Sequence, residues 1–333
     1  MNEKKERIIL DVAYQPQVRT KTDTQRLMLR VIVALLPAVC VSVWQFGLHP
    51  LVVIASSVLS AVFFEWAYRK FTHKSATIGD LSAMVTGLLL ALTLPPSAPW
   101  WLPVIGTFFA IVVVKQLYGG IGKNFLNPAL AGRAFLLASY AMLMGRFQAP
   151  AAMQGLPGVD AISAATPLSF LYGKDPMPAY YSAKALFLGT VPGAIGEISA
   201  LALLIGGLYL ILRKVISWRI PVSFIGTVAL LTLIFGSQSE YFGRVDFMLY
   251  NILSGGLFLG AFFMATDYVT SPMTQKGKII YAILIGLLTG LFRFFGESAE
   301  GVSFAIIIGN LFVPLIERFT VPKAFGKEGK EHA

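Results

Sequence analysis

LMLRVIVALLPAVCVSVWQF, residues 27–46, is twenty residues long and carries a single charge, Arg30. An α-helix rises about 1.5 Å per residue, so twenty residues cover about 30 Å, the thickness of a bilayer's hydrocarbon core. Four more apolar runs follow at 48–68, 80–94, 101–118 and 128–144. After a polar gap they resume at 198–216, 220–236, 247–266, 279–295 and 302–319. The run at 80–94 is short and ends at Pro95-Pro96, which predicts a broken or tilted helix. The expected fold is an all-α integral membrane protein with about ten transmembrane helices.

Composition agrees. Of 333 residues, 56% are hydrophobic and 13% charged, with mean hydropathy +0.70; a soluble domain carries about 25% charged residues. The net charge of +10 does not form a continuous basic face, so nucleic acid is not an expected partner. With ten spans and the amino terminus inside, all but five of the 27 Lys and Arg fall on the inner side. The five are Arg146, Lys174, Lys184, Arg244 and Arg293. Both termini are then cytoplasmic, and residues 1–26, which lack a cleavable signal, read as a leader.

Span starts pair across the halves: Leu27 with Ile198, Leu48 with Ile220, Asp80 with Phe247, Trp101 with Ile279, Pro128 with Val302. Five is an odd number, so the second half enters from the opposite face, which makes two inverted five-helix repeats. The chain thus divides into the leader (1–26), a first repeat (27–144), an extracytoplasmic loop with a short half-helix (145–197), a second repeat (198–319) and a cytoplasmic tail (320–333).

The sole cysteine, Cys40, excludes an internal disulfide framework and a cysteine-ligated zinc or iron–sulfur site. His49, His73 and His332 are scattered, which argues against a haem held by paired histidines. Redox chemistry, if present, needs an organic cofactor. The acids Glu65, Asp80, Glu197, Asp246, Asp267, Glu297 and Glu317 all fall near span ends. No metal site and no catalytic side chain stands out.

Three interruptions carry polar groups. In residues 119–128, GGIGKNFLNP, Asn127 and Pro128 read as the start of a helix, and the glycines as the end of the one before. Gly120, Gly122 and Asn124 remain as a surface for a flat ligand. In residues 267–272, DYVTSP, Thr270 and Ser271 are expected to cap the following helix. The third is DAISAATPL, 160–168, inside the polar gap. Thr166-Pro167 has the form of a helix cap; it also presents a hydroxyl among small residues, open to covalent modification. Arg146, Lys174 and Lys184 share that loop against the charge bias, as partners of a phosphate would.

Six stretches in order, GGIGKNFLNPALAGRAF (119–135), DAISAATPL (160–168), GAIGEIS (193–199), WRIP (218–221), GAFFMATDYVTSP (260–272) and EGVSFAIIIGN (300–310), resemble one family. It holds the D subunit of the Rnf ion-translocating electron-transport complex and the B subunit of sodium-pumping NADH:quinone reductase, and the chain is more similar to the former. The resemblance covers about 20–319. It implies FMN esterified through its phosphate to the threonine of an Asp-x-x-Ser/Thr-Gly-Ala-Thr pattern, here Asp160, Ser163, Ala164, Ala165 and Thr166, with alanine in the glycine position. It also implies a noncovalent riboflavin near Gly120, Asn124 and Asn127 on the inner side.

By the same resemblance the chain is a membrane electron-transfer component of a ferredoxin- and NAD-linked oxidoreductase, coupled to Na+ or H+ movement in a bacterial or archaeal cell membrane. Partners would be a second covalent-flavin subunit, iron–sulfur subunits, further membrane subunits and a flavin transferase. Two alternatives stay open: the quinone-reductase B subunit, and a cofactor-free inverted-repeat secondary transporter.

Overall fold

A computed structural model describes residues 23–75, 77–154, 165–172, 178, 181–236, 243–296 and 301–322. These are helices joined by turns, with no strand among the described residues. The first half holds α1 (Thr24–Phe46), α2 (His49–Phe71), α3 (Ser82–Leu92), α4 (Trp101–Phe108), α5 (Pro128–Ser139) and α6 (Ala141–Met144). Short helices α7 (Pro167–Tyr172) and α8 (Ala183–Leu188) occupy the gap. The second half holds α9 (Ala200–Leu212), α10 (Arg219–Phe235), α11 (Arg244–Leu253), α12 (Leu257–Leu259), α13 (Gln275–Phe295) and α14 (Val302–Thr320).

Every apolar run therefore contains helix, but the lengths differ. α1, α2, α13 and α14 are each long and apolar enough to cross a membrane alone. α11 and the Leu257–Met264 segment qualify together, bent by 60°. α3, Trp101–Gln116, α9 and α10 are shorter apolar helices. Leu59, Phe63, Leu230, Leu291 and Leu311 are exposed on the outer faces. Water would not tolerate a belt of this kind; lipid does. Trp44, Trp66, Trp100 and Trp218 sit exposed at or near helix ends, the interfacial position for indole.

Two helices pass into π geometry. Phe109–Gln116 continues α4 as π-helix, and Gly260–Met264 continues α12 in the same way. Such bulges collect at functional sites. The α11–α12 bend falls at Ser254-Gly255-Gly256. Gly255 has φ +69°, and a Cβ on Gly256 would lie 2.5 Å from Glu197 Oε1. Larger residues would fit neither the backbone nor the space.

α1 packs along α9, so the first helices of the two halves meet. A Cβ on Gly206 would lie 2.0 Å from the Ala34 carbonyl oxygen; the glycine is what lets these two helices touch. In the first half α2 packs on α3 and α4, α4 on α5, and α1 on α3. In the second, α10 packs on α11 and α13, α13 on α14, and α9 on α12. After α8, which Gly189 terminates, the chain is irregular yet buried. Its backbone groups are satisfied across the halves: Ile195 N donates to Leu94 O (2.9 Å) and Gly196 N to Leu92 O (2.7 Å). Irregular backbone at this depth is stable only where protein covers it.

Candidate functional site

Two cavities lie at opposite ends of the Leu257–Met264 segment. The larger, about 270 Å³, is walled by α1, α3, α9, the 119–128 loop and the 262–269 turn. Its volume is near the lower bound of about 300–1,000 Å³ for small-molecule sites. Most of its surface is apolar, from Val31, Val85, Leu89, Phe262 and Phe263 among others. Polar groups enter from Ser82, Thr86, Lys115, Asn124, Asn127 and Asp267. An apolar slot with a few fixed polar groups suits a flat heteroaromatic ligand.

Asn127 does what its sequence context predicts. Its Oδ1 accepts from Ala129 N (3.0 Å) and Leu130 N (3.4 Å), and Pro128 opens α5. Its Nδ2 also donates to Met264 O (3.2 Å), tying the 119–128 loop to the π-helical segment. Asn124 is buried beside it and donates to Leu126 O (2.9 Å). Gly120 is not in the cavity wall. It ends the preceding helix at φ +93°, its N–H on Lys115 O (3.0 Å), and a Cβ there would meet Arg69. Of the three residues expected around a second flavin, two reach the cavity.

Asp267 is half-buried at the rim, where it accepts from Thr270 Oγ1 (3.0 Å). Desolvation raises its pKa above the ordinary carboxyl range, against the Thr270 bond, the backbone N–H groups of Val269 and Tyr268, and the charge of Lys115. Thr270 therefore serves Asp267, not a helix end. Thr274 caps α13, its Oγ1 accepting from Gly277 N (3.0 Å).

The second cavity is about 20 Å³, lined by Thr166, Pro167, Leu168, Leu186, Val191, Glu197, Ser254 and Gly255 among others. It has room for little more than a water. Thr166 is half-buried at the start of α7. Its carbonyl oxygen accepts from Ser169 N (3.0 Å) and Ser169 Oγ (2.7 Å), whereas its hydroxyl has no hydrogen-bond partner among the described residues. The side chain does not cap α7. Ala165 is exposed beside it, with its carbonyl held by the Tyr181 hydroxyl (2.8 Å). Asp160, Ser163 and Lys174 lie outside the described residues.

Under Thr166 runs a buried polar layer that hydropathy does not reveal. Arg133 Nη1 is 2.8 Å from Glu197 Oε1, joining α5 to the irregular segment before α9. Arg293 donates to Asn251 O (2.7 Å) and Ser254 O (3.2 Å), holding the last turn of α11. The Tyr172 hydroxyl donates to Asn251 Oδ1 (2.6 Å). Burial pushes Tyr172 up to about 12, with Arg293 and the Asn251 bond pulling the other way, so it is a neutral donor. Arg293, expected at an outer span end, lies in the last turn of α13 and is 1% exposed. The signal available in sequence was a charge within each of two apolar runs, 128–144 and 279–295.

Comparison with known proteins adds the family. The model of the NQR2, RnfD, RnfE family matches residues 11–326. The D subunit of the Na+-translocating ferredoxin:NAD+ oxidoreductase complex of Acetobacterium woodii is 47% identical over 321 residues, 95% of each chain. The D subunit of the proton-translocating ferredoxin:NAD+ oxidoreductase complex of Clostridium ljungdahlii is 43% identical over 327 residues, 96% of each. The D subunit of the ion-translocating oxidoreductase complex of Escherichia coli SE11 is 36% identical over 355 aligned positions, covering 96% of this chain and 99% of that one.

Proposed function

The chain belongs to the NQR2, RnfD, RnfE family, and from that premise we propose that it is the D-type membrane component of an ion-translocating ferredoxin:NAD+ oxidoreductase. In this reading it is a multi-pass protein of the cell membrane with both termini cytoplasmic. Its ten helical runs form two inverted repeats, which the recurring packing pattern of the halves supports. Thr166 carries FMN through a phosphoester, on the outer side. The 270 Å³ cavity, on the inner side, holds a second, noncovalent flavin of the riboflavin type. Donor, acceptor and iron–sulfur centres belong to partner subunits, among them a second covalent-flavin subunit, and a flavin transferase matures the chain. The translocated ion is Na+ or H+; the Acetobacterium and Clostridium relatives are named for different ones.

The observation that carries this reading is the Thr166 hydroxyl, half-buried, flanked by alanine and engaged by nothing among the described residues. A capping threonine would have spent its oxygen on the first turn. Here the oxygen is available to become an ester oxygen, and Asn124, Asn127 and Lys115 supply polar contacts to a ring in the other cavity. A bound flavin contributes one- and two-electron redox chemistry; the chain contributes position. Between the two sites lie the eight residues 257–264.

The test is a denaturing gel under ultraviolet light, wild type beside Thr166→Val. A fluorescent band is expected in the wild type and none in the variant. Fluorescence that survives in the valine variant would move the attachment elsewhere. A dark wild-type band, from protein matured with its transferase, would favour a cofactor-free transporter.

A further inference from the structure

One wall of the inner cavity is also the end of a chain of hydrogen bonds. Asp80, half-buried in the turn before α3, accepts from Ser82 Oγ at 2.6 Å. Ser82 Oγ in turn accepts from Lys115 Nζ at 2.6 Å. Lys115 Nζ also donates to Glu65 Oε2 at 2.6 Å, and Glu65 Oε1 accepts from Thr77 Oγ1 at 2.7 Å. Ser82 and Lys115 line the cavity, and Lys115 lies in the π-helical segment. Side-chain exposure at the ion pair is 3% for Lys115 and 1% for Glu65.

A purely structural clamp would need only the Lys115–Glu65 pair. Removing two charges from water costs several kcal/mol per ion, and clamps of this sort are often replaceable by apolar packing. Two further features have no place in a clamp. The ammonium has three N–H bonds, two of them spoken for, and it borders a cavity. The serine links it, oxygen to oxygen, to a carboxylate that reaches the protein surface.

We propose that Lys115 is the proton donor to the redox ligand of the inner cavity, and that Ser82 and Asp80 are its supply line from the inner aqueous phase. The inference rests on the reading of that cavity as a flavin site. Were a flavin bound there and reduced by two electrons from a partner subunit, an N–H bond of Lys115 would break and its proton would pass to the reduced ligand, leaving Nζ neutral. The Asp80 carboxylate, which accepts from Ser82 in the resting chain, first takes a proton from water; the serine hydroxyl then turns to give its own proton to Nζ, and Oγ recovers one from the Asp80 carboxyl. The balance is two electrons and one proton entering the cavity; reoxidation returns the proton by the same atoms. Glu65, held by Thr77, keeps Lys115 aimed and is a positioning residue. The other titratable groups on the cavity are Asp267, committed to Thr270, and Tyr268, whose hydroxyl bonds Val215 O.

The experiment uses the full chain in the Thr166→Val background, so that the flavin that remains is noncovalent. Acid-released flavin is quantified first. Proton uptake is then followed with a pH-indicator dye during stopped-flow reduction by dithionite. General acids contribute on the order of 10²–10⁴ in rate. Compared per bound flavin, Lys115→Met is expected to slow proton uptake about a hundredfold, and Ser82→Ala roughly tenfold, on that scale. Ser82→Thr, which keeps the hydroxyl, should restore the rate. Wild-type rates in both Lys115→Met and Ser82→Ala, at equal flavin content, would overturn the relay and spare the flavin. A normal rate in Ser82→Ala alone would overturn the supply line. Absence of acid-released flavin from the parent chain has a different signature and overturns the flavin reading and the relay together.

Discussion

The two ends of the Leu257–Met264 segment solve the problem of holding a ligand in opposite ways. At one end the protein has built a cavity of about 270 Å³ with amides, a hydroxyl row and an ammonium already in place. At the other, the described residues leave about 20 Å³ beside a threonine whose hydroxyl is idle. A group the size of a flavin fits the first and has no room in the second. A covalent bond compensates for a missing cavity, because it fixes the effective concentration of the ligand whatever its affinity. The larger site must depend on its walls; the Thr166 site should be nearly indifferent to them.

That contrast breaks most visibly at the polar layer under Thr166. Arg133→Met leaves the Glu197 carboxylate without its 2.8 Å partner inside the protein. Breaking one side of a buried pair costs about 3–5 kcal/mol, whereas replacing both sides with apolar residues is often neutral. A large fall in melting temperature is expected for Arg133→Met in detergent, with recovery in Arg133→Met/Glu197→Met. Folded double-variant protein should still carry covalent flavin on Thr166. Loss of the attachment in a well-folded double variant would show that the site depends on its floor after all.

Filling the larger cavity is the complementary change. Val85→Phe adds a ring to a buried wall position of α3. Overpacking of this kind costs about 1–3 kcal/mol in a filled core, but here space exists to receive it. Acid-released flavin should fall about tenfold, which corresponds to about 1.4 kcal/mol of binding, while the fluorescent band at Thr166 stays. Parallel loss of both flavins would mean that the sites are not independent.

Much of this was legible in the chain and some was not, for reasons that differ by residue. The apolar runs marked where helices form, because lipid demands about 20 apolar residues and nothing else does. Asn127-Pro128 announced a helix start, and the structure has one there. Gly120 ends a helix and does not line the cavity; a glycine in that role and one that faces a ligand look alike in sequence. The π-helical turns left no mark, because they change the register of hydrogen bonds and not the apolar content. Lys115, Arg133 and Arg293 were visible as charges within apolar runs, but their partners Glu65, Glu197 and Asn251 lie 42 to 64 positions away. Only the fold brings such pairs together.

The smallest effect concerns Asp267, at the rim of the larger cavity. Desolvation raises its folded pKa above the unfolded value, so the native state holds the proton more tightly than the unfolded chain. Stability from this group is then greatest below the unfolded carboxyl range and is lost as pH rises through the folded pKa. At neutral pH the wild type bears the cost of a buried carboxylate that Asp267→Asn does not. The asparagine oxygen can still accept from Thr270, so little else changes. The variant should melt slightly higher than wild type at pH 7, and the gap should close as pH falls into the acidic range. A gap that widens on acidification would mean that the carboxylate is stabilised in place, and that Lys115 and the Thr270 bond outweigh burial there.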